Sequence, residues 1–490
     1  MSDILKGLSR HTLTYTVGTF AQRAASFLLL PVYTRYLSPR DYGILELVGL
    51  TTDVISMVAG LGIAATVYRF YAKYDDESDK NAVISTAFIL MSAIFAVTAL
   101  LCLCFAGSFS ELVFSDSAHT PFFVVAFFSL FFSVGIELPS IFLKVRQKSA
   151  LFVGFSLLKL VLQLSLNISF VVLLKAGPLG ILKSTLIVNL ALSVLLSIYT
   201  IRETGLRFCG VKAREMVRYG FPIIFWSLGS FLLTFSDRFF LRSYADLTTV
   251  GIYSLAYKFG FILTCFAVVP FQQIWEPQRF EIYKKPDGQA VFLQVFRYFS
   301  LFVIASALFV AIFARETVEI MAEKSFHPAY ALVPLLLVSA VLQAWTAFCN
   351  FGLLVQNQTR SYAVCAVFSS VLVLVVNFLL IPKWQAYGAA WATVVVYAAR
   401  FFWVYYASQR VLPLAYDWLP VALVSVLAVG TYVAKTAFDS YSLLTGLVGG
   451  GALFTVFVLA ACRVALTLHE REQAVHYVRN TLKFLQPERP

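Results

Sequence analysis

HTLTYTVGTFAQRAASFLLLPVYTRYLSPRDYGILE, residues 11–46, decides the fold class of this chain. It opens with an apolar segment long enough to cross a bilayer, and Arg23 stands in its middle. At helical spacing Thr12, Thr16, Thr19, Arg23 and Ser26 fall on one face. An arginine at mid-membrane costs at least about 3 kcal/mol unless it faces protein or water. The spacing therefore predicts a membrane helix whose polar stripe turns inward. The stretch closes in a Pro- and Tyr-rich turn, TRYLSPRDYG, before the chain becomes apolar again.

The rest of the chain agrees with a membrane protein. Of 490 residues 60% are hydrophobic and 13% charged, where a soluble protein carries about a quarter charged. The 47 Phe and 24 Tyr suit lipid-facing and interfacial positions. A net charge of +12 points to an anionic lipid surface or an anionic substrate. No basic run alternates with aromatics on a polar domain, so nucleic acid is excluded as a partner. The cysteines (102, 104, 209, 265, 349, 365 and 462) sit mostly in apolar segments and read as small hydrophobes. Cys102 and Cys104 have the spacing of neither a zinc knuckle nor a CxxC pair. The first apolar segment continues into the fold, so no cleavable signal peptide is expected. There is no HExxH, P-loop or GxSxG, and no cofactor or metal is expected.

About fourteen apolar segments have spanning length: 12–34, 44–67, 82–106, 120–143, 151–174, 178–200, 219–241, 249–272, 291–314, 328–352, 361–381, 386–408, 417–437 and 441–466. Tight turns part the fifth from the sixth (LKAGPLG) and the eleventh from the twelfth (PKWQAYG). No loop reaches about thirty residues, so no extramembrane domain is expected. With a cytoplasmic N-terminus, alternate loops collect about 23 Lys and Arg inside against about 8 outside. That sets both termini in the cytoplasm, with the tail 471–490 beside the membrane.

The chain also repeats itself. TRYLSPRDYGILELV resembles LRSYADLTTVGIYSLAY about 208 residues later, with Tyr42-Gly43-Ile44 matching Val250-Gly251-Ile252. An offset of six spans keeps both copies pointing the same way, which describes two parallel six-helix bundles with a cavity between them. The expected organisation is an all-α polytopic protein: a lobe over 1–210, a second over 211–410, and an appended helix pair over 411–470.

Other spans carry polar stripes. The second has Glu46, Asp53 and Ser56; the fifth has Ser156, Lys159, Gln163 and Asn167; the seventh has Ser230, Thr234 and Asp237. The eighth has Ser254 and Lys258, the tenth Gln343, Thr346 and Asn350, and the twelfth Thr393, Tyr397 and Arg400. Uncharged members are ordinary glue between membrane helices. Lys183, Arg238 and Arg297 lie near span ends and can snorkel. Arg23, Lys159, Lys258 and Arg400 are the candidates for a positive cavity lining, which implies an anionic group passing through. Asp53, Glu137 and Asp237 are candidates for proton or Na+ coupling. The plainer alternatives are that Asp53 neutralises Arg23 and that Asp237 pairs with Arg238.

LLLPVYTRYLSPRDYG, GFPIIFWSLGSFLLTFSDRFFL and VGIYSLAYKF resemble the polysaccharide transporter family. These are O-antigen and exopolysaccharide repeat-unit flippases of the multidrug/oligosaccharidyl-lipid/polysaccharide exporter superfamily. The resemblance covers about residues 10–410 and implies two six-helix lobes in a V, working by alternating access in a bacterial or archaeal cytoplasmic membrane. It implies a polyprenyl-diphosphate-linked oligosaccharide as substrate, with membrane lipids and polysaccharide polymerase or export machinery as partners. The diphosphate would meet Arg23, Lys159, Lys258 and Arg400. The sugars would meet polar stripes that include Gln163, Asn167, Gln343 and Asn350. Related lipid II flippases carry a buried arginine in the first helix at a place comparable to Arg23. The rival readings are a cation-coupled drug antiporter of the same superfamily, which would favour acidic cavity residues, a membrane-embedded glycosyl polymerase or ligase, and an assembly scaffold without transport.

Overall fold

The computed structural model describes residues 29–356, 358–437, 442–465 and 470, and every regular element among them is a helix. In chain order these are α1 (Leu30–Tyr36), α2 (Pro39–Ala59), α3 (Ile63–Lys73), α4 (Glu77–Cys104), α5 (Ala106–Phe114), α6 (Thr120–Val145), α7 (Ser149–Ile168) and α8 (Gly177–Thr204). The chain continues with α9 (Gly210–Tyr244), α10 (Leu247–Leu263), α11 (Val269–Tyr283), α12 (Gly288–Met321), α13 (Val333–Cys349), α14 (Phe351–Val355), α15 (Thr359–Val411), α16 (Trp418–Thr436) and α17 (Leu443–Ala465). Twelve stretches among the described residues are long and apolar enough to cross a membrane. One of them, Arg360–Val411, holds two of the expected spans. They meet at Gln385, whose φ of 47° and ψ of −121° break the helix. Most of the first expected span, Arg23 included, lies outside the described residues. The protein is a multi-pass helical membrane protein.

Local chemistry explains the breaks. Ser38 caps α2 in a reciprocal box: its hydroxyl accepts from the Asp41 N–H at 3.2 Å, and Asp41 accepts from the Ser38 N–H at 3.0 Å. Pro39 supplies the first helical φ. The second expected span, 44–67, is interrupted between α2 and α3 by Leu61 and Gly62, both left-handed. Gly62 cannot carry a side chain there, because a Cβ would overlap the Gly220 carbonyl. Asp76 caps α4 by accepting from the N–H groups of Ser78 and Asp79.

The chain divides into two compact units, each with its own interior. The first takes the described part of residues 1–255 with Met321–Phe326 and Ala366–Ala392. Its core interleaves Ile63, Val67, Val83, Met91, Phe95, Leu130 and Leu138 from α3, α4 and α6. Helices α6 and α8 approach closely because Gly135 has no side chain to meet Ser193, and Asn189 donates to Ser129 at 2.8 Å between them.

The repeat is visible as a pair of reciprocal contacts inside this unit. A Cβ on Gly43 would overlap the Leu247 carbonyl, and a Cβ on Gly251 would overlap the Pro39 carbonyl. Pro39 and Gly43 correspond to Leu247 and Gly251 at the repeat offset, so each copy seats its glycine on the other's first helical turn. A second pair has its donors at that offset and its acceptors one residue short of it: Thr34 donates to the Met321 carbonyl at 2.9 Å, and Arg242 donates to the Phe114 carbonyl.

The second unit takes Ala256–Ile320, His327–Cys365 and the described residues from Thr393 onward. Its interior is aromatic, with Phe271, Trp275, Phe292, Phe299 and Phe348 packed ring on ring. The terminal hairpin of α16 and α17 is fastened to α12. Lys435 and Glu316, 2% and 3% exposed, pair at 2.8 Å, and Gly446 leaves room for the carboxylate.

Candidate functional site

Polar side chains inside apolar helices mark the candidate site, because each must find a partner or face water. In the first unit α9 carries Asp237 and Arg238, both buried. The Arg238 guanidinium binds Asp237 at 2.7 Å and donates to the Thr234 carbonyl at 2.8 Å. Tyr253 of α10 donates its hydroxyl to the other Asp237 oxygen at 2.5 Å. Glu46 of α2 stands 3.8 Å from the Arg238 Nε. This cluster ties α2, α9 and α10 together beside the glycine contact of the repeat. Among the described residues one cation here serves two carboxylates, and both Asp237 oxygens are engaged.

Asp53 lies two turns beyond Glu46 on α2 and is exposed, as is Glu137 on α6. Neither makes a hydrogen bond or ion pair among the described residues. Lys159 of α7 is half-buried and likewise lacks a partner among them. A turn further along α7, Gln163 donates to Asn167 at 3.0 Å, to Ser184 at 2.9 Å and to Thr185 at 3.2 Å. Asn167 in turn donates to the Tyr33 hydroxyl at 2.6 Å and accepts from Ser184. These amides join α1, α7 and α8, so part of their hydrogen-bonding capacity is spent between helices. Ser184 and Tyr33 have no feature in the sequence that marks them as members.

The other candidates belong to the second unit. Lys258 on α10 and Arg400 on α15 are half-buried, and Gln343 on α13 is exposed. Asn350 accepts from the Arg279 guanidinium at 3.2 Å. Arg279 itself is buried and lies within 6 Å of the Phe280 and Phe351 rings, at 5.3 and 5.7 Å. It escapes a sequence reading because QQIWEPQRFEIY looks like a loop, whereas α11 carries it inside a continuous helix. Among the described residues no three His, Cys, Asp or Glu side chains are grouped as metal ligands.

Residues 8–282 match a family model described as polysaccharide biosynthesis protein. No curated protein matches the sequence. Among solved structures the chain is similar to a lipid II flippase, MurJ, in an inward closed conformation, at 13% identity and a TM-score of 0.75, covering 92% of this chain and 99% of that one. It is also similar to a multidrug resistance MATE family transporter of the MOP superfamily in an inward-facing conformation, at 14% identity and TM-score 0.60, covering 81% of this chain and 94% of that one. The MATE multidrug transporter DinF-BH matches at 14% identity and TM-score 0.60, over 83% of this chain and 95% of that one. The shared property at these identities is the helical fold.

Proposed function

We propose, for a chain that belongs to the polysaccharide biosynthesis protein family, that it moves a polyprenyl-diphosphate-linked oligosaccharide from the cytoplasmic to the outer leaflet. One observation carries the reading: a sequence of that family adopts, over 92% of its length, the fold of a lipid II flippase. The protein is then a transporter and not an enzyme, working in a cytoplasmic membrane with both termini inside.

The proposed ligands of the diphosphate are Arg23, Lys159, Lys258 and Arg400, which would bind it through charge-assisted hydrogen bonds. Lys159 supports this best, being a charge held within a span with no described partner. Gln163, Asn167, Gln343 and Asn350 are proposed to meet sugar hydroxyls with the capacity their helix contacts leave. A substrate that binds inward- and outward-open states unequally shifts their populations, and that difference drives the cycle. Asp53 and Glu137, carboxylates without described partners, are the proposed coupling sites. Asp237 is the weaker coupling candidate, since both its oxygens are occupied.

The test is leaflet accessibility of the lipid-linked oligosaccharide in cells lacking the protein, scored with a membrane-impermeant sugar probe. Accumulation inside, rescued by wild type but not by Arg23→Ala or Lys258→Ala at normal membrane insertion, is the expected result. Wild-type transport by both variants removes the cationic binding model. A second reading, cation-coupled drug export, is favoured by the MATE likeness and by Asp53 and Glu137, which have no partner among the described residues. An unchanged glycan pathway together with Asp53-dependent drug efflux would establish it instead.

A further inference from the structure

A cavity of about 400 Å³ opens where α3 ends and α9 begins, lined by Arg69, Phe70, Lys73, Glu215, Arg218 and Tyr219. At ~30 Å³ per water that is room for roughly a dozen, enough for a phosphate or diphosphate. Its charge is uneven. Lys73 pairs with Glu215 at 3.1 Å, which leaves two guanidinium groups. Arg69 lies over the Tyr219 ring at 4.1 Å, an arrangement that orients it without neutralising it. Neither Arg69 nor Arg218 has a carboxylate partner among the described residues.

Neighbouring cations of the same face are spent differently. Lys212 binds Asp79 at 2.7 Å, Lys148 binds Glu203 at 2.9 Å, Lys80 binds Glu77 at 3.3 Å, and Arg146 also binds Glu77. The general excess of basic residues on one side of a membrane protein does not explain why two arginines share a cavity with no carboxylate partner among the described residues. A second observation concerns the helix leading away from it. Arg218, Phe221 and Phe225 follow at helical spacing along α9, and the two rings are exposed and packed edge to face at 5.5 Å. A charged cavity that continues into an exposed aromatic column matches an amphiphile with a phosphate head and a hydrocarbon tail.

We infer that Arg69 and Arg218 form a docking site for a phosphate-bearing lipid headgroup, with the lipid chain lying along Phe221 and Phe225. The inference rests on the membrane orientation of the proposed function, which puts this end of α3 and α9 at the cytoplasmic leaflet. Lys159 is not among the cavity's lining residues, and the site would gather the lipid before transport.

The experiment measures binding of a long-chain polyprenyl diphosphate to the full-length protein in phosphatidylcholine nanodiscs by native mass spectrometry. Arg69→Gln with Arg218→Gln should weaken binding at least about tenfold, the scale of losing charged hydrogen bonds. The charge-preserving pair Arg69→Lys with Arg218→Lys should retain most of it and controls for folding. Equal binding by wild type and the glutamine pair overturns the site. Phosphatidylglycerol that displaces the probe one for one identifies bulk anionic lipid as the occupant; failure to displace identifies the polyprenyl carrier, and either supports a lipid phosphate. Inorganic diphosphate that competes as well as the lipid, with Phe221→Ala and Phe225→Ala without effect, overturns the lipid part. A wild type that binds here yet moves no lipid-linked oligosaccharide would sink the flippase reading and leave this site standing.

Discussion

The pair Glu316–Lys435 shows what a single charge does when it is taken out of water. Each partner is almost fully enclosed, so each depends on the other for what hydration would otherwise supply. Removing one leaves an uncompensated ion at a cost of about 3–5 kcal/mol, whereas replacing both with apolar groups of similar volume is close to neutral. Lys435→Met and Glu316→Leu should therefore each lower thermal stability in detergent sharply, while the double variant recovers most of the loss. Additive losses in the double variant would show that the two side chains act separately. Neither partner stands out in the sequence. Glu316 lies just past the expected end of its span, and Lys435 near the end of another, where snorkelling is the ordinary expectation. Asp237 and Arg238 are legible because they are adjacent in the chain. Tyr253 and Glu46, which complete that cluster, come from other helices, and no local pattern announces such a meeting.

At the scale of the element, turn chemistry sets where spans begin and stop. The Ser38-Pro39-Arg40-Asp41 box and the Gly-Pro start of α8 are readable because capping needs particular residues at fixed offsets. The turn at PKWQAYG is also readable, but the residue that makes it is unexpected. Gln385 takes φ 47° and ψ −121°, the first central position of a tight II′-type turn, where glycine is the favoured residue. A side chain held there costs about 1–3 kcal/mol. Gln385→Gly should thus stabilise the protein by about 1 kcal/mol, read as a higher melting temperature, with insertion unchanged. A lower melting temperature would mean that the Gln385 side chain makes a contact worth more than the backbone strain. Span lengths are less legible than turns. The α11 helix runs to Tyr283 through Gln, Glu and Arg residues that end a hydropathy window without ending a helix. That difference hides Arg279.

At the scale of the molecule, the repeat is detectable as a few matched residues, yet what it does becomes clear only from contacts between its copies. Gly43 and Gly251 are needed because two helix starts pass within backbone distance, a constraint that leaves a glycine in each motif and nothing else to read. Loop charge carries the remaining global information, since it sets which end of every helix faces the cytoplasm. With the N-terminus inside, the α5–α6 turn around Ser117 lies outside, and the turns around Gln147 and Leu206 lie inside. After replacing the native cysteines, Ser117→Cys should react with an impermeant maleimide in intact cells. Gln147→Cys and Leu206→Cys should react only once the membrane is opened. The reverse pattern would place the cavity of Arg69 and Arg218 on the outer face and remove its supply of cytoplasmic lipid phosphate. It would also invert the proposed direction of transport while leaving the fold untouched, so this labelling ranks before any transport assay.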